Sequence, residues 1–177
     1  MTSHPALSRR AVGAALLAWA ISTTPGLARA DGLEPPAGEV VLTLSGQLSR
    51  TNADGVAEFD LAMLDALPQR ETVTATPWHD GRHSFSGPTL SALIDAVGAT
   101  GGSLHIVALN DYAIDLPMED ALTIPVILAT RIDEEEIPVR DKGPLFVIYP
   151  FDEQPELFNE IYFNRSVWQV GSIEVRG

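Results

Sequence analysis

Three short segments of the sequence combine flat aromatic rings with side chains that form directed hydrogen bonds. They are residues 78–85, 110–112 and 149–152, and each follows or ends a run with the pattern of a β-strand. Loops at one end of a sheet are where binding pockets form. Aromatic rings can stack on a flat heterocycle, and a carboxylate can accept two parallel N–H bonds from an amino-pyrimidinone edge. The candidate ligand-binding residues are Trp78, Asp80, Arg82, Asn110, Asp111, Tyr112, Tyr149 and Phe151.

The same residues also have an ordinary structural interpretation. An aspartate at the end of a strand can cap a turn, and aromatic rings can close the rim of a core. Residue types alone leave both interpretations open at each position.

Two histidines provide a second candidate site. His79 and His83 are four residues apart, and together with Asp80 they could bind a metal ion. That spacing aligns two imidazoles on a helix, whereas the Asp80-Gly81 pair indicates a loop over residues 77–87. The sequence therefore disfavours a two-histidine metal site.

Other chemistries are poorly supported by the residue types. The chain contains no cysteine, which excludes a thiolate nucleophile, a cysteine-based zinc site and an iron–sulfur cluster. The serines within residues 84–91 lack the glycine-flanked turn that exposes a nucleophile. Three cations, Arg140, Lys142 and Arg165, could meet an anionic group of a ligand, but ordinary salt bridges are favoured for each.

Periodicity predicts one domain of many strands and a few short helices. Strands are predicted at residues 40–46, 72–76, 104–109, 113–116, 126–132, 145–149 and 168–175. Helices are predicted after an Asp60 cap, from Pro88 to Gly98, and for one turn at residues 118–122. The acidic residues 133–136 indicate a hairpin tip. The predicted fold class is therefore α+β, with a mixed or antiparallel sheet.

The N-terminus has the organisation of a secretory signal peptide. Arg9 and Arg10 precede an apolar run over residues 11–21, which is too short to span a bilayer. Ala28-Arg29-Ala30 is a signal-peptidase pattern, so cleavage is predicted before Asp31. We therefore expect a signal peptide at residues 1–30, a flexible leader at 31–38 and a periplasmic protein. General secretion and the twin-arginine route both stay open.

The charge balance limits the classes of partner. The formal charge is −13, and removal of residues 1–30 takes away three arginines and no acid, which leaves −16. Such a chain repels phosphate backbones and anionic lipids, so we expect no nucleic-acid binding and no membrane insertion after cleavage.

The order of the segments resembles the molybdopterin-binding domain of the sulfite oxidase family. The likeness extends over residues 39–177 and is carried by Trp78 and its loop, residues 85–90 opening a helix, residues 110–112, and residues 141–145 entering a strand. It implies a single-domain, mixed, β-rich fold with a few short helices. In catalytic members a cysteine ligates molybdenum at the position that corresponds here to Thr74, Ala75 or Thr76. A threonine hydroxyl is a poor ligand for a soft metal, so we expect no metal.

The chain looks closest to small exported members of this superfamily that lack the cysteine. These are understood as pterin-binding signalling proteins. The resemblance implies a periplasmic protein that binds a free, reduced pterin through Trp78, Asp111 and Tyr112. It also implies signalling to a membrane-bound partner, either an enzyme that makes or degrades cyclic di-GMP or a histidine kinase.

Two alternatives remain at this stage. One is a molybdopterin-dependent oxidoreductase that uses Thr76 or a solvent oxygen at the metal. The other is a scaffold that binds no small molecule and contacts proteins through residues 133–136 or the face around Trp168.

Overall fold

Alternating buried and partly exposed residues build the largest sheet of the structure. The computed structural model of the protein describes residues 1–2 and 32–177. The five strands are β1 (Leu42–Gly46), β2 (Ala57–Phe59), β5 (Ser103–Ala108), β6 (Ala113–Pro117) and β11 (Val170–Arg176), in the order β2-β1-β11-β5-β6. β1 and β11 are parallel, and the other neighbours are antiparallel. The sheet is therefore mixed, as the sequence predicted.

The remaining strands form two smaller sheets. One has the order β3-β4-β8-β9, and the other pairs β7 with β10. Their bounds are β3 (Gln69–Thr76), β4 (His79–Pro88), β7 (Ile127–Ala129), β8 (Arg131–Ile132), β9 (Glu135–Glu136) and β10 (Phe146–Ile148). β4 passes so close to β7 that a Cβ atom at Gly87 would collide with the carbonyl oxygen of Leu128. Glycine is therefore required at that crossing.

The described residues contain four short α-helices. They are α1 (Leu61–Asp65), α2 (Leu90–Val97), α3 (Met118–Thr123) and α4 (Glu160–Arg165), and two 3₁₀ turns lie at residues 139–141 and 155–157. Asp60, Thr89 and Asn159 cap the N-termini of α1, α2 and α4 by accepting backbone N–H bonds. α2 buries its apolar face, and it ends at Gly98 in the left-handed region, as predicted.

The segment predicted as a loop over residues 77–87 is instead the long strand β4, so that prediction was wrong. Pro77 and Trp78 form the turn of a hairpin, because Thr76 pairs with His79. The register then shifts opposite Ala75, which leaves Asp80 and Gly81 without facing partners. The Asp80-Gly81 pair therefore marks a β-bulge and not a turn.

Other boundaries differ from the sequence prediction. The strand predicted at 126–132 is interrupted at Thr130 and contributes β7 and β8 to different sheets. The acidic tip is a hairpin as predicted, with Asp133 and Glu134 at φ values of 50° and 71°. β2 and α4 were not predicted. The coarse fold class, a strand-rich α+β domain, is confirmed.

The structure covers part of the predicted N-terminal leader but not the predicted signal peptide beyond its first two residues. The predicted signal peptide and its cleavage site lie outside the described residues, apart from Met1 and Thr2. Within the predicted leader, the backbone N–H groups of Ala37 and Gly38 donate to the Asp60 carboxylate at 2.9 and 2.7 Å. Together with the cap bond from Met63, these donors lower the pKa of Asp60. The carboxylate thus joins the end of the leader to the start of α1.

Two hydrophobic cores meet at one tryptophan. The main core is built from the five-stranded sheet, α2 and parts of β7 and β10, whereas a smaller one contains Phe85, Ile127, Phe146 and Ile148. Trp78 is partly buried and packs against both.

A partly buried carboxylate connects α3, the residue that follows β10, and α4. Asp120 accepts a 2.9 Å bond from the Tyr149 hydroxyl and a 2.7 Å bond from Arg165. The side chains of Asp120 and Arg165 are only 13% and 22% exposed. Desolvation and the nearby carboxylate raise the pKa of Tyr149, so its hydroxyl stays protonated and donates. This network fixes α4 against the body of the domain.

Replacing Asp120 by asparagine should destabilise the protein by about 2–4 kcal/mol, because Arg165 is left partly buried without its counter-charge. The control is Asp141→Asn, since the Asp141 side chain is 62% exposed and, among the described residues, forms an ion pair only with its neighbour Arg140, which is 85% exposed. That variant should lose less than about 0.5 kcal/mol. Urea unfolding of both variants measures the difference, and equal losses would contradict the role assigned to Asp120.

Candidate functional site

A cavity of about 290 Å³ opens where the β3–β4 turn, the β5–β6 turn and the α4 region meet. Its lining comes from three separate parts of the chain, so only the folded domain assembles it. The lining residues are Trp78, Ala108, Asn110, Tyr112, Phe163, Asn164, Ser166, Val167 and Trp168.

The aromatic wall is organised around Trp78. Its ring centroid lies 5.5 Å from that of Phe146, 5.6 Å from that of Trp168 and 6.0 Å from that of Phe163. The rings meet at interplanar angles of 60–80°. Edge-to-face contacts of this kind are stable arrangements of aromatic pairs. Because three of these rings line the cavity, a flat ligand would find aromatic surface on several sides.

The second wall is the turn between β5 and β6. Asp111 adopts a left-handed conformation with φ of 65°, and its N–H donates to the Ala108 carbonyl at 3.1 Å. The Asn110 side-chain oxygen accepts a 3.1 Å bond from the Tyr112 N–H. The Tyr112 hydroxyl donates to the backbone carbonyl of Asn164 at 3.2 Å. This last bond ties the turn to the end of α4.

The third wall is α4 and the residues that follow it. Ser166 is 2% exposed, and its hydroxyl donates to the Tyr162 carbonyl at 2.9 Å. Phe151 packs behind Phe163, with the ring centroids 5.5 Å apart. The wall is therefore supported from the core side by aromatic packing and from α3 by the Asp120–Arg165 pair.

The lining contains no charged side chain. Its polar side-chain groups are the carboxamides of Asn110 and Asn164, the hydroxyls of Tyr112 and Ser166, and the indole N–H groups of Trp78 and Trp168. A charged ligand group placed deep in the cavity would lose hydration without gaining a counter-ion. The geometry therefore suits an uncharged, flat molecule.

The structure brings together three of the eight predicted binding residues, since Trp78, Asn110 and Tyr112 line one cavity. Tyr149 and Phe151 are 0% and 1% exposed and belong to the main core. They lie behind the wall and do not line it.

The three charged candidates lie outside the cavity lining. Asp111 is exposed at the tip of its turn, where its left-handed backbone conformation allows the chain to reverse direction. Asp80 is exposed on the bulge of β4, where its carbonyl accepts a bond from His83. Arg82 forms a 2.7 Å ion pair with Asp152. The carboxylate clamp predicted at Asp111 is therefore not part of the lining.

Most residues of the third wall were not predicted from the sequence to line a site. Phe163, Asn164, Ser166 and Val167 were assigned no role, and Trp168 was named only as a surface for protein contacts. The available signal was Asn159, which caps a helix of six residues. A helix this short leaves too little periodicity to be recognised.

The position that would hold molybdenum in the resembling enzymes does not fit that metal. The Thr74 hydroxyl is buried and hydrogen-bonded with Asp152 at 3.3 Å, and the Thr76 hydroxyl contacts Nδ1 of His79 at 3.0 Å. None of residues 74–76 lines the cavity. The donor set lacks a thiolate, and its hydroxyls are used within the protein.

The two histidines considered as a metal site lie side by side on β4. The bulge at residues 80–81 brings their ring centroids to 5.5 Å, so they are neighbours without being on a helix. Nδ1 of His83 contacts the Asp133 carboxylate at 2.7 Å, and Nε2 contacts the Asp80 carbonyl at 3.0 Å. Both acceptors raise the pKa of His83. Burial, together with the nearby positive charges of Lys142 and His83, lowers the pKa of His79.

The described residues contain neither a cluster of metal-binding side chains nor a membrane-spanning helix. Within residues 1–2 and 32–177, no three or more His, Cys, Asp or Glu side chains are grouped as a metal site. No helix in that part of the chain has the length and hydrophobicity needed to cross a membrane.

The pKa values of the two histidines should lie on opposite sides of the ordinary imidazole value of about 6.5, with that of His83 above it and that of His79 below it. His83 holds its proton more tightly in the fold, so its ion pair stabilises the protein below that pH and is lost as the pH rises through the raised pKa. The neutral form of His79 is favoured instead, so its contribution is lost as the pH falls through the lowered pKa. Imidazole titration by NMR, assigned with His79→Gln and His83→Gln, should give the higher midpoint to His83.

Asp133→Asn is the matched change for this measurement. It removes the acceptor at Nδ1 and should lower the midpoint of His83 more than that of His79, since only His83 contacts the carboxylate. Equal midpoints in the unaltered protein would contradict the hydrogen-bond assignment.

Comparison with known proteins adds no relative to this geometry. Neither protein-family models nor curated proteins give a match to the chain.

Proposed function

We propose that this protein is a periplasmic pterin-binding protein that signals to a membrane-bound sensor or regulator. The observation that carries the proposal is the cavity between Trp78 and the turn that bears Asn110 and Tyr112. Those three residues were selected from the sequence as contacts for a flat heterocycle. Their side chains now line one cavity together with two further aromatic rings.

The size of the cavity favours one small ring system. Pockets for drug-sized ligands typically have volumes of about 300–1,000 Å³. At about 290 Å³ this cavity is at the lower end. A fused bicyclic ring with a short substituent suits that space, whereas a dinucleotide exceeds it.

The charge of the protein favours a pterin without a phosphate. The cavity lining has no cation, and the formal charge of the whole chain is −13. Arg165, the cation nearest in sequence to the lining residues Asn164 and Ser166, is already paired with Asp120 at 2.7 Å. A phosphorylated ligand such as molybdopterin would meet an uncompensated negative field. For this reason, and because no thiolate is available, molybdenum redox chemistry is not part of the proposal.

The finer fold assignment belongs to the same proposal. We assign the domain to the sulfite oxidase type because the order of its motifs matches and because two of them, at Trp78 and at residues 110–112, contribute to one site. The membrane-bound partner, an enzyme of cyclic di-GMP metabolism or a histidine kinase, follows from the resemblance. Ligand binding changes signalling only if the partner binds the ligand-bound and the ligand-free protein with different affinities. Exposed apolar residues near the cavity, such as Leu109 at 56% and Tyr112 at 47%, offer the partner a surface.

Tryptophan fluorescence should report ligand binding directly. The chain has three tryptophans, at positions 19, 78 and 168. Trp19 lies in the predicted signal peptide, and the other two line the cavity. Anaerobic titration of the mature protein with 6-methyltetrahydropterin should therefore quench the emission saturably. Trp78→Leu should weaken binding about 5- to 150-fold, because an aromatic stacking partner contributes roughly 1–3 kcal/mol per ring.

The matched control is Asp111→Ala, which changes the turn next to the cavity without changing its lining. It should leave the affinity within about threefold of the unaltered protein, since a solvent-exposed carboxylate contributes little to binding. Absence of saturable quenching, confirmed by calorimetry, would overturn the proposed function. Molybdenum found by elemental analysis of protein from a cofactor-producing host would instead favour the oxidoreductase.

A further inference from the structure

Hydrogen bonds within the protein fix the polarity of three groups that line the cavity. A carboxamide or a hydroxyl is ordinarily both donor and acceptor, so it accepts either kind of ligand edge. When one of its two roles is used by the protein, only the other remains for a ligand.

Asn110 is left as a donor. Its Oδ1 accepts the Tyr112 backbone N–H at 3.1 Å, and this bond closes the turn between β5 and β6. The amide must therefore point its oxygen at the backbone, since an N–H would otherwise face an N–H. The Nδ2 group is the part of this side chain that a ligand can use.

Ser166 is left as an acceptor. Its hydroxyl proton is directed to the Tyr162 carbonyl at 2.9 Å, and the residue is 2% exposed. The Tyr112 hydroxyl is likewise left as an acceptor, because its proton is donated to the Asn164 carbonyl at 3.2 Å. Each oxygen keeps lone pairs for a ligand N–H and has no proton to offer.

We infer that the cavity recognises a cyclic amide edge, in which a ring N–H adjoins a C=O. Asn110 donates to the carbonyl, and Ser166 accepts from the N–H. This inference rests on the proposed function and narrows it, since the 4-oxo-pyrimidine edge of a pterin is such an edge. It also names the class of ligand that is rejected: rings of the same shape with an amino group in place of the oxo group.

The reason for rejection is the cost of a mismatch from which the bound ligand excludes water, since Asn110 is exposed and hydrated before binding. In a 2,4-diaminopteridine the carbonyl becomes an amino donor, and the adjacent ring nitrogen becomes an acceptor. The amino group would face the Asn110 donor, and the ring nitrogen would face an oxygen with no proton. Unpaired polar groups of this kind cost more than the hydrogen bonds themselves contribute.

Binding of two rings that differ only at this edge tests the inference. Calorimetry at pH 8 without oxygen compares 6-methyltetrahydropterin with 2,4-diamino-6-methyltetrahydropteridine. The unaltered protein should bind the diamino ring at least about tenfold more weakly. Asn110→Asp keeps an oxygen for the Tyr112 N–H and presents an acceptor to the ligand in place of the donor. Each ring then has one matched and one mismatched group, so the variant should abolish the preference. Ser166→Ala should weaken the pterin about tenfold without reversing the preference.

Asn164→Asp is the matched control for charge. It adds the same negative charge to the lining, at a carboxamide whose polarity is not fixed by a hydrogen bond from any described residue, and the preference for the pterin should persist. Thermal unfolding of each variant verifies that it is folded. If the unaltered protein binds both rings equally, or if Asn110→Asp keeps the original preference, the inference is overturned while pterin binding stands. If neither ring binds, the proposed function fails and the inference fails with it.

Discussion

The packing of Trp78 between the two hydrophobic cores is the contact on which the cavity depends. The residue lies in a two-residue hairpin turn, where a large apolar side chain would ordinarily be exposed to solvent. Here its ring has Phe146 on the side of the small core and Phe163 and Trp168 on the side of the cavity. The β4 bulge and the close crossing of β4 over β7 hold the hairpin against the domain. The turn thus gains a fixed position from the strands beneath it.

Electrostatic organisation follows from the scarcity of cations in this acidic chain. Arginines form ion pairs with acids from distant parts of the sequence: Arg70 with Glu153, Arg82 with Asp152, Arg131 with Asp65 and Arg165 with Asp120. Exposed pairs of this type contribute little, whereas the partly buried Asp120–Arg165 pair contributes more because it also binds Tyr149. The cations are used to hold loops and helices together. Few remain to attract an anionic ligand, which agrees with the uncharged lining of the cavity.

Regular periodicity explains which elements could be predicted from the sequence. β1, β5, β6, β11 and α2 have clear alternating or helical patterns, and all were predicted within a few residues. β4 was mistaken for a loop because Asp80-Gly81 is a turn signal that a bulge also satisfies. The eight candidate binding residues were chosen from loops after strands, which found Trp78, Asn110 and Tyr112. The same rule also selected Tyr149 and Phe151, because a ring next to a strand end faces the core as readily as a pocket.

The walls of the cavity are held by different kinds of contact, and this difference bears on the proposed signalling. Trp78 is fixed by ring contacts with two cores. The turn at residues 109–112 is held by hydrogen bonds instead, from the Tyr112 hydroxyl to the Asn164 carbonyl at 3.2 Å and from the Leu109 N–H to the Gln169 carbonyl at 2.8 Å. Leu109 and Tyr112 are also among the exposed large apolar residues. A ligand that bonds to Asn110 and Ser166 would connect this turn to the region after α4 at two more points. These additional bonds would hold the turn more firmly, and its exposed apolar side chains would form a surface for a partner beside the occupied cavity. Binding free energy from inside the cavity could in this way change the affinity of an outer surface without any movement of the sheets.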